Sequence, residues 1–144
     1  MKDRAIRSGL TIAATPERVW AILTDFARYR EWNPFIRAVE GTVEVGSRLR
    51  VTIQPPTFEE RVHHPIVVAV VPSRELRWRR HSFVALLGYA EHEFRIEPAG
   101  QGCRFRQHEL FSGLAMRFVG QEVWMALRSG FEEMNAALKQ RAEG

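Results

Sequence analysis

Cysteine occurs once, at Cys103, so the chain has neither an internal disulfide framework nor a four-thiolate zinc site. Long apolar runs are lacking too. No stretch of eighteen apolar residues could cross a bilayer, and the opening MKDRAIRSGLTIAA has no apolar core ending in a cleavage site. These lacks lead us to expect a protein of the reducing cytoplasm, without stable membrane insertion. Lysine is confined to Lys2 and Lys139. The net charge of +4 comes from arginines scattered between Arg4 and Arg141, with no block of like charge. A nucleic-acid partner is therefore not expected. Repeats, low-complexity segments and a convincing linker are also missing, and 144 residues are enough to bury a core without staples, so residues 1–144 are read as one domain.

What is present is an ordered series of short elements. RSGLTIAA alternates and is followed by Thr15-Pro16-Glu17, a capping hydroxyl, a first-turn proline and a first-turn acid. Val19, Trp20, Leu23 and Phe26 then recur at helical spacing. A second short helical segment, ARYREW, ends at Asn33-Pro34, because the residue before proline is pushed out of the helical region. FIRAVEG, SRLRVTIQ, FEERVHHPIVVAVV, ELRWRRHSF, YAEHEFRIE and CRFRQHELF follow as strands of an antiparallel meander, separated by turn-like pieces. After Gly113, the residues Met116, Val119, Val123, Leu127, Phe131, Met134 and Leu138 predict one long C-terminal helix. The expected class is α+β, a curved antiparallel sheet of seven strands around that helix, with two short helices after the first strand.

The hairpin loops suggest a register. Closing PAGQG so that Ile96 faces Cys103 puts Phe94 opposite Phe105, His92 opposite Gln107 and Ala90 opposite Glu109. Closing PSR with Val71 opposite Leu76 puts Ala69 opposite Trp78, with Trp78 then beside Phe94 and Arg80 beside His92. One face is then apolar at one end, through Val71, Ala69, Leu76, Trp78, Ile96, Phe94, Cys103 and Phe105. At the other end it carries Arg80, His92, Gln107 and Glu109. On the opposite face Arg79, Glu93 and Arg106 form one row and His81, Glu91 and His108 another, as water-facing pairs should. A third row of Arg77, Arg95 and Arg104 fits less well.

Four polar groups on an inner face have two explanations. They form a satisfied structural network around an ion pair, or they line a cavity where a few polar groups orient an apolar ligand. Arg80, His92 and Glu109 are the candidate catalytic residues: an arginine to polarise a carbonyl, a histidine to move a proton, a carboxylate to orient it. His63-His64 suggests a bulge or edge beside Pro65, since neighbours on a strand point oppositely and no further ligand stands at metal spacing. No metal and no cofactor are expected. Cys103, Trp20 and Trp124 read as core packing.

TPERVWAILTDFARYREWNPFI, VGSRL, VVPSRELRW, YAEHEFRIEP, HELFSG and FEEMNAALKQRAE, taken together in this order, resemble the START/Bet v 1-like superfamily, specifically the bacterial SRPBCC group that includes polyketide cyclase/dehydrase-like proteins. The resemblance spans Ser8 to Glu143. It implies the helix-grip fold and a hydrophobic tunnel between sheet and helix. Trp32 would stand near the mouth with Asn33 and Pro34, Trp78, Phe94 and Phe105 deeper in the sheet wall, and Val119, Val123 and Leu127 on the helix side. The expected function is binding of a lipophilic small molecule of lipid, polyketide or aromatic type, its tail against Trp78, Phe94 and Phe105 and its polar end near Arg80, His92, Gln107 and Glu109. Two alternatives stand beside it: a cyclase/dehydratase-like enzyme using the same cavity, and a protein-interaction module without a ligand, docking through Arg77, Arg95 and Arg104.

Overall fold

Thr15 closes the first strand and starts the first helix. Its hydroxyl accepts from the Arg18 backbone N–H at 3.2 Å, and Pro16 takes the first helical position, where no N–H is needed. The computed structural model describes residues 4–81 and 88–144. Strand β1 (Arg4–Ile12) leads into α1 (Pro16–Thr24), a 3-10 turn (Phe26–Arg28) and α2 (Tyr29–Trp32). Then come β2 (Ile36–Glu40), β3 (Arg50–Ile53), β4 (Arg61–His63), β5 (Ile66–Val71), β6 (Glu75–His81), β7 (Tyr89–Ala99) and β8 (Gly102–Ser112). A 3-10 turn (Leu114–Phe118) precedes α3 (Gln121–Glu143). The expected continuation of ELRWRRHSF through Ser82 and Phe83, and the leucines of the loop after it, lie outside the described residues.

The architecture is the expected α+β helix grip, an antiparallel sheet wrapped around the long C-terminal helix, with two corrections of detail. The described strands number eight where seven were expected, because FEERVHHPIVVAVV is interrupted at His64-Pro65. Proline has no N–H to give a ladder, so the segment splits into β4 and β5. The strands pair as β1-β8-β7-β6-β5 and as β2-β3-β4. The two groups meet through an isolated bridge between Arg48 and Ile66. Loop bonds support it, from Leu49 N to Pro65 O at 2.8 Å, Gly46 N to Val67 O at 2.8 Å and Val67 N to Ser47 O at 2.9 Å. The second correction concerns the helix. Met116 falls in the 3-10 turn, and Val119 and Gly120 are extended, with φ,ψ of −84°, 121° and −72°, 159°, so α3 begins only at Gln121.

The pairing differs from the expected register by a slip of two residues. Ala99 pairs with Gly102 around a Gly100-Gln101 turn, with Gly100 at φ +60°. That turn is shorter than the one assumed, so Ile96 faces Phe105, Phe94 faces Gln107 and His92 faces Glu109. Likewise Trp78 lies beside His92, and Arg80 beside Ala90. A slip of two keeps every side chain on its face, so the inner-face list for β6 to β8 stands while its neighbours change. Strand β5 is different. Val71 pairs with Glu75 and a bulge lies between Val67 and Ala69, so the inner residue against Trp78 is Val67, and the expected Val71 is exposed. Ala69 stands opposite Arg77 instead.

On the outer face the slip removes the awkward row of three arginines. Arg77 pairs with Glu93 across the ladder and its guanidinium meets Glu91 at 2.7 Å and Glu75 at 3.0 Å. Arg95 meets Glu75 at 3.3 Å and Glu93 at 3.4 Å, and Arg79 meets Glu91 at 3.2 Å. The expected rows of Arg79 with Glu93 and His81 with Glu91 are replaced by Arg79 with Glu91 and His81 with Tyr89.

The core lies between the sheet and α3. Leu76, Phe94, Ile96, Cys103 and Phe105 meet Phe131, Met134 and Leu138, all of them fully buried. Gly130 permits the closest approach: a Cβ there would stand 2.4 Å from the Phe35 ring, which also packs on Phe131 at 5.5 Å between centroids. Alanine is better than glycine in a helix by about 0.5–1 kcal/mol, but overpacking costs about 1–3 kcal/mol. We expect Gly130→Ala to lower the urea midpoint of unfolding with little change in its slope. A raised midpoint would mean that Phe35 has room to turn away.

Candidate functional site

The polar end of the inner face is built by alternation. On β6 the inward positions run Leu76, Trp78, Arg80; on β7 Phe94, His92, Ala90; on β8 Phe105, Gln107, Glu109, Phe111. Trp78, Arg80, Ala90, His92, Glu109 and Phe111 form one wall of a cavity of about 50 Å³. Phe35, Ile36, Val51 and Ile53 close it from β2, β3 and the segment before them, His63 and Pro65 from the β4–β5 break, and Leu127 from α3. This volume holds a few waters; pockets for drug-sized ligands run to roughly 300–1,000 Å³.

Of the sequence-predicted ligand residues, the fold brings Trp78, Arg80, His92, Glu109 and Leu127 to this wall. Phe94 and Phe105 lie deeper, wholly buried and packed on each other at 6.2 Å. Trp32 packs on Tyr29 at 5.2 Å, away from the wall. Asn33 is buried with its Oδ1 accepting from the backbone N–H groups of Phe35 and Ile36. It caps a turn there. Val119 and Val123 are partly buried around the start of α3 and do not reach the wall.

Gln107 turns towards α3. Its Nε2 donates to Asn135 Oδ1 at 2.7 Å, Asn135 Nδ2 donates to Ser8 Oγ at 2.9 Å, and Ser8 Oγ donates to the Gln107 carbonyl at 2.8 Å. The donors and acceptors of this ring leave Gln107 Oε1 as an acceptor for His92 Nε2, 2.8 Å away. His92 therefore carries a proton on Nε2. Its Nδ1 lies 3.5 Å from Glu109 Oε1, directly across the β7–β8 pairing.

Glu109 is nearly enclosed, with 11% of its side chain exposed. Burial alone raises its pKa, but His92, and then Arg80 and His63, outweigh that and hold the carboxyl below the usual carboxylate range. The Glu109 carboxylate thus stands opposite the Nδ1 edge of an imidazole whose Nε2–H is held by Gln107. Trp78, Phe94 and Phe131 surround the imidazole at 5.6, 4.5 and 5.1 Å between ring centroids.

Three contributors escaped sequence reading. Ser8 and Asn135 carried one available signal, a polar residue on an otherwise apolar stripe: Ser8 between Ile6 and Leu10, Asn135 between Phe131 and Leu138. His63 was assigned to an edge, and it does end β4, but its side chain reaches the cavity while His64 is exposed. Burial, then the nearby Arg80, lowers the His63 pKa to about 4 even though Glu109 pulls the other way. Among the described residues no three His, Cys, Asp or Glu side chains are grouped to hold a metal. No described helix is long and apolar enough to cross a membrane.

Residues 5–143 match the protein family described as polyketide cyclase / dehydrase and lipid transport. No curated protein is a significant match. Among solved structures, the ZhuI aromatase/cyclase from Streptomyces sp. R1128 superposes with a TM-score of 0.79 at 16% identity, covering 99% of this chain and 94% of that one. A START superfamily protein from Mycobacterium smegmatis gives 0.71 at 21% identity, covering 96% and 97%. The di-domain ARO/CYC BexL from the BE-7585A biosynthetic pathway gives 0.76 at 14% identity; it covers 99% of this chain, which spans 50% of BexL. At these identities the likeness is one of fold.

Two tests follow from the site. Gln107→Leu strands the His92 Nε2–H and the Asn135 Oδ1 in the core, at about 1–3 kcal/mol for each unsatisfied group. We expect a loss of about 2 kcal/mol or more in denaturant unfolding; a near-neutral result would show that the ring is not holding α3. The second test uses pH. His63 is neutral when folded down to about pH 4, whereas the unfolded chain takes up its proton near the ordinary histidine value of about 6.5. Stability therefore falls as pH drops through that window, by at most ~3 kcal/mol. Half-buried His108, its pKa also lowered chiefly by loss of water, contributes in the same direction. His63→Gln should lose less stability than the parent between pH 7 and about 4; parallel curves would remove His63 as a cause.

Proposed function

The chain belongs to the polyketide cyclase / dehydrase and lipid transport family, and from that premise we propose that it binds a lipophilic small molecule between the sheet and α3, in one ligand-binding domain. The polar end of the ligand meets Arg80, His92 and Glu109, and its apolar part lies against Trp78, Phe111 and Leu127. One observation carries this reading: ionisable side chains from four different strands, buried His92 and partly buried His63, Arg80 and Glu109, converge on an apolar-walled cavity. Ionisable groups are costly to keep out of water, and a purely structural ion pair does not call for His63 and Arg80 in addition. The free volume of about 50 Å³ means that a ligand enters by displacing wall side chains. Leu127 and Trp78 stand on opposite sides of the cavity, on α3 and β6.

A second reading, acid–base chemistry in the same cavity, is favoured by the His92–Glu109 contact. An imidazole whose Nε2 is fixed by Gln107 and whose Nδ1 faces Glu109 is positioned to move a proton, and Arg80 can polarise a carbonyl. Docking through Arg77, Arg95 and Arg104 receives less support, since Arg77 and Arg95 are already engaged by Glu75, Glu91 and Glu93.

Titration with the uncharged fluorophore N-phenyl-1-naphthylamine tests the binding reading. The parent should enhance its emission saturably, while Leu127→Trp, which fills the cavity, should abolish binding without lowering the melting temperature. Saturable binding unchanged by Leu127→Trp would place the apolar site elsewhere and defeat the reading. Turnover of a poly-carbonyl substrate that falls at least tenfold in Glu109→Gln would support the enzymatic version.

A further inference from the structure

One charged group on the cavity wall lacks a close counter-ion among the described residues. Arg80 comes from β6, His92 from β7, Glu109 from β8 and His63 from the end of β4, while β2, β3 and α3 contribute apolar side chains. The Glu109 carboxylate is engaged by His92, with Oε1 3.5 Å from Nδ1. His63 is uncharged at neutral pH, its pKa lowered to about 4 by burial and by Arg80. The guanidinium of Arg80, which does not deprotonate in proteins, has no carboxylate within 4.0 Å among the described residues, and it stands at the edge of an apolar space. Such a charge is stabilised by an anion brought to it and penalised by an apolar or cationic group.

Resting on the binding reading above, we propose that the site selects a lipophilic molecule bearing a single carboxylate, seated between the guanidinium of Arg80 and the imidazole of His63. A carboxylate matches the planar fork of arginine with two parallel charge-assisted hydrogen bonds. An alcohol, ester or sterol hydroxyl of similar size lacks the charge and the second oxygen. His63 takes part through its proton. In the empty cavity the charged and titratable groups acting on it are Arg80, Glu109, Arg61 and His64, with Glu109 alone favouring protonation. A second carboxylate beside it opposes Arg80, so His63 gains affinity for a proton when the ligand arrives. Binding then draws a proton from solution at a pH below the ordinary histidine value and above the value of about 4 that His63 has in the free protein.

The experiment is calorimetric titration of the full chain with three matched probes: 2-naphthylacetate, 2-(2-naphthyl)ethanol and 2-(2-naphthyl)ethylammonium. The acid should bind about tenfold or more tighter than the alcohol, as a charge-assisted pair predicts, and the ammonium should bind weakest. In Arg80→Gln the ratio of acid to alcohol affinity should collapse towards one; in Arg80→Lys part of it should return, with melting curves reporting that both variants fold. Repeating the acid titration near pH ~6 in buffers of different ionisation enthalpy should reveal proton uptake, which His63→Gln should remove. Equal affinity for acid and alcohol in the parent overturns carboxylate selection while leaving lipophile binding intact. Failure of all three probes to bind overturns both. Acid selectivity without proton uptake assigns the carboxylate to Arg80 alone and overturns the part given to His63.

Discussion

The hydrogen-bonded run from Ser8 through Asn135 and Gln107 to His92 is the constraint on which the site depends. Apolar contacts between α3 and the sheet are non-directional, so Phe131, Met134 and Leu138 alone would tolerate small slides of the helix along its axis. The amide of Asn135 permits one position, because it must reach Gln107 Nε2 and Ser8 Oγ together, at 2.7 and 2.9 Å. Each such bond contributes about 1 kcal/mol net, and far more is lost when one partner is left buried alone. The same run decides which nitrogen of His92 faces Glu109. Structural support and site chemistry are thus consecutive links of one chain of donors, and the two explanations for a polar inner face hold for different residues of it: Gln107 is structural, Glu109 and Arg80 border the cavity.

That division was only partly legible in the sequence. Alternation placed Arg80, His92, Gln107 and Glu109 on the inner face, and they are there, because side-chain direction depends on parity along a strand and survives a two-residue slip. Their pairing depends on turn length. The stretch PAGQG reads as a five-residue connection, but Ala99 and Gly102 remain in the ladder, and nothing in the apolar pattern distinguishes those cases. Strand β5 failed for another reason. All of Ile66 to Val71 is apolar, so parity carries no information, and the bulge between Val67 and Ala69 has no glycine to announce it. The helix was legible in its stripe and not in its start, since Met116 and Val119 fit the stripe's spacing without being helical.

The arginine-rich composition also finds its account. Arginines of β6 and β7 meet glutamates of the same two strands, Arg106 of β8 meets Glu97, and Glu91 alone receives Arg77, Arg79 and the Tyr89 hydroxyl. Exposed pairs contribute little to stability individually. Their effect is to give the water-facing side a charge pattern that suits one strand order, while the inner side is left free to accommodate the unequal demands of core and cavity.

The break at His64-Pro65 bears on how a cavity of a few waters could admit anything larger. Within β6, β7 and β8 the ladder is continuous over long strands, and bending it would stretch many bonds together. Between the β2-β3-β4 group and β5, by contrast, the join among the described residues is one bridge and a few bonds made by the loop from Gly46 to Leu49. Ile36, Val51, Ile53 and His63 lie on one side of that join, and Trp78, Arg80, His92 and Glu109 on the other. The proline that splits the fourth expected strand into β4 and β5 therefore leaves the sheet with a soft axis, and the cavity's two walls are the panels on either side of it.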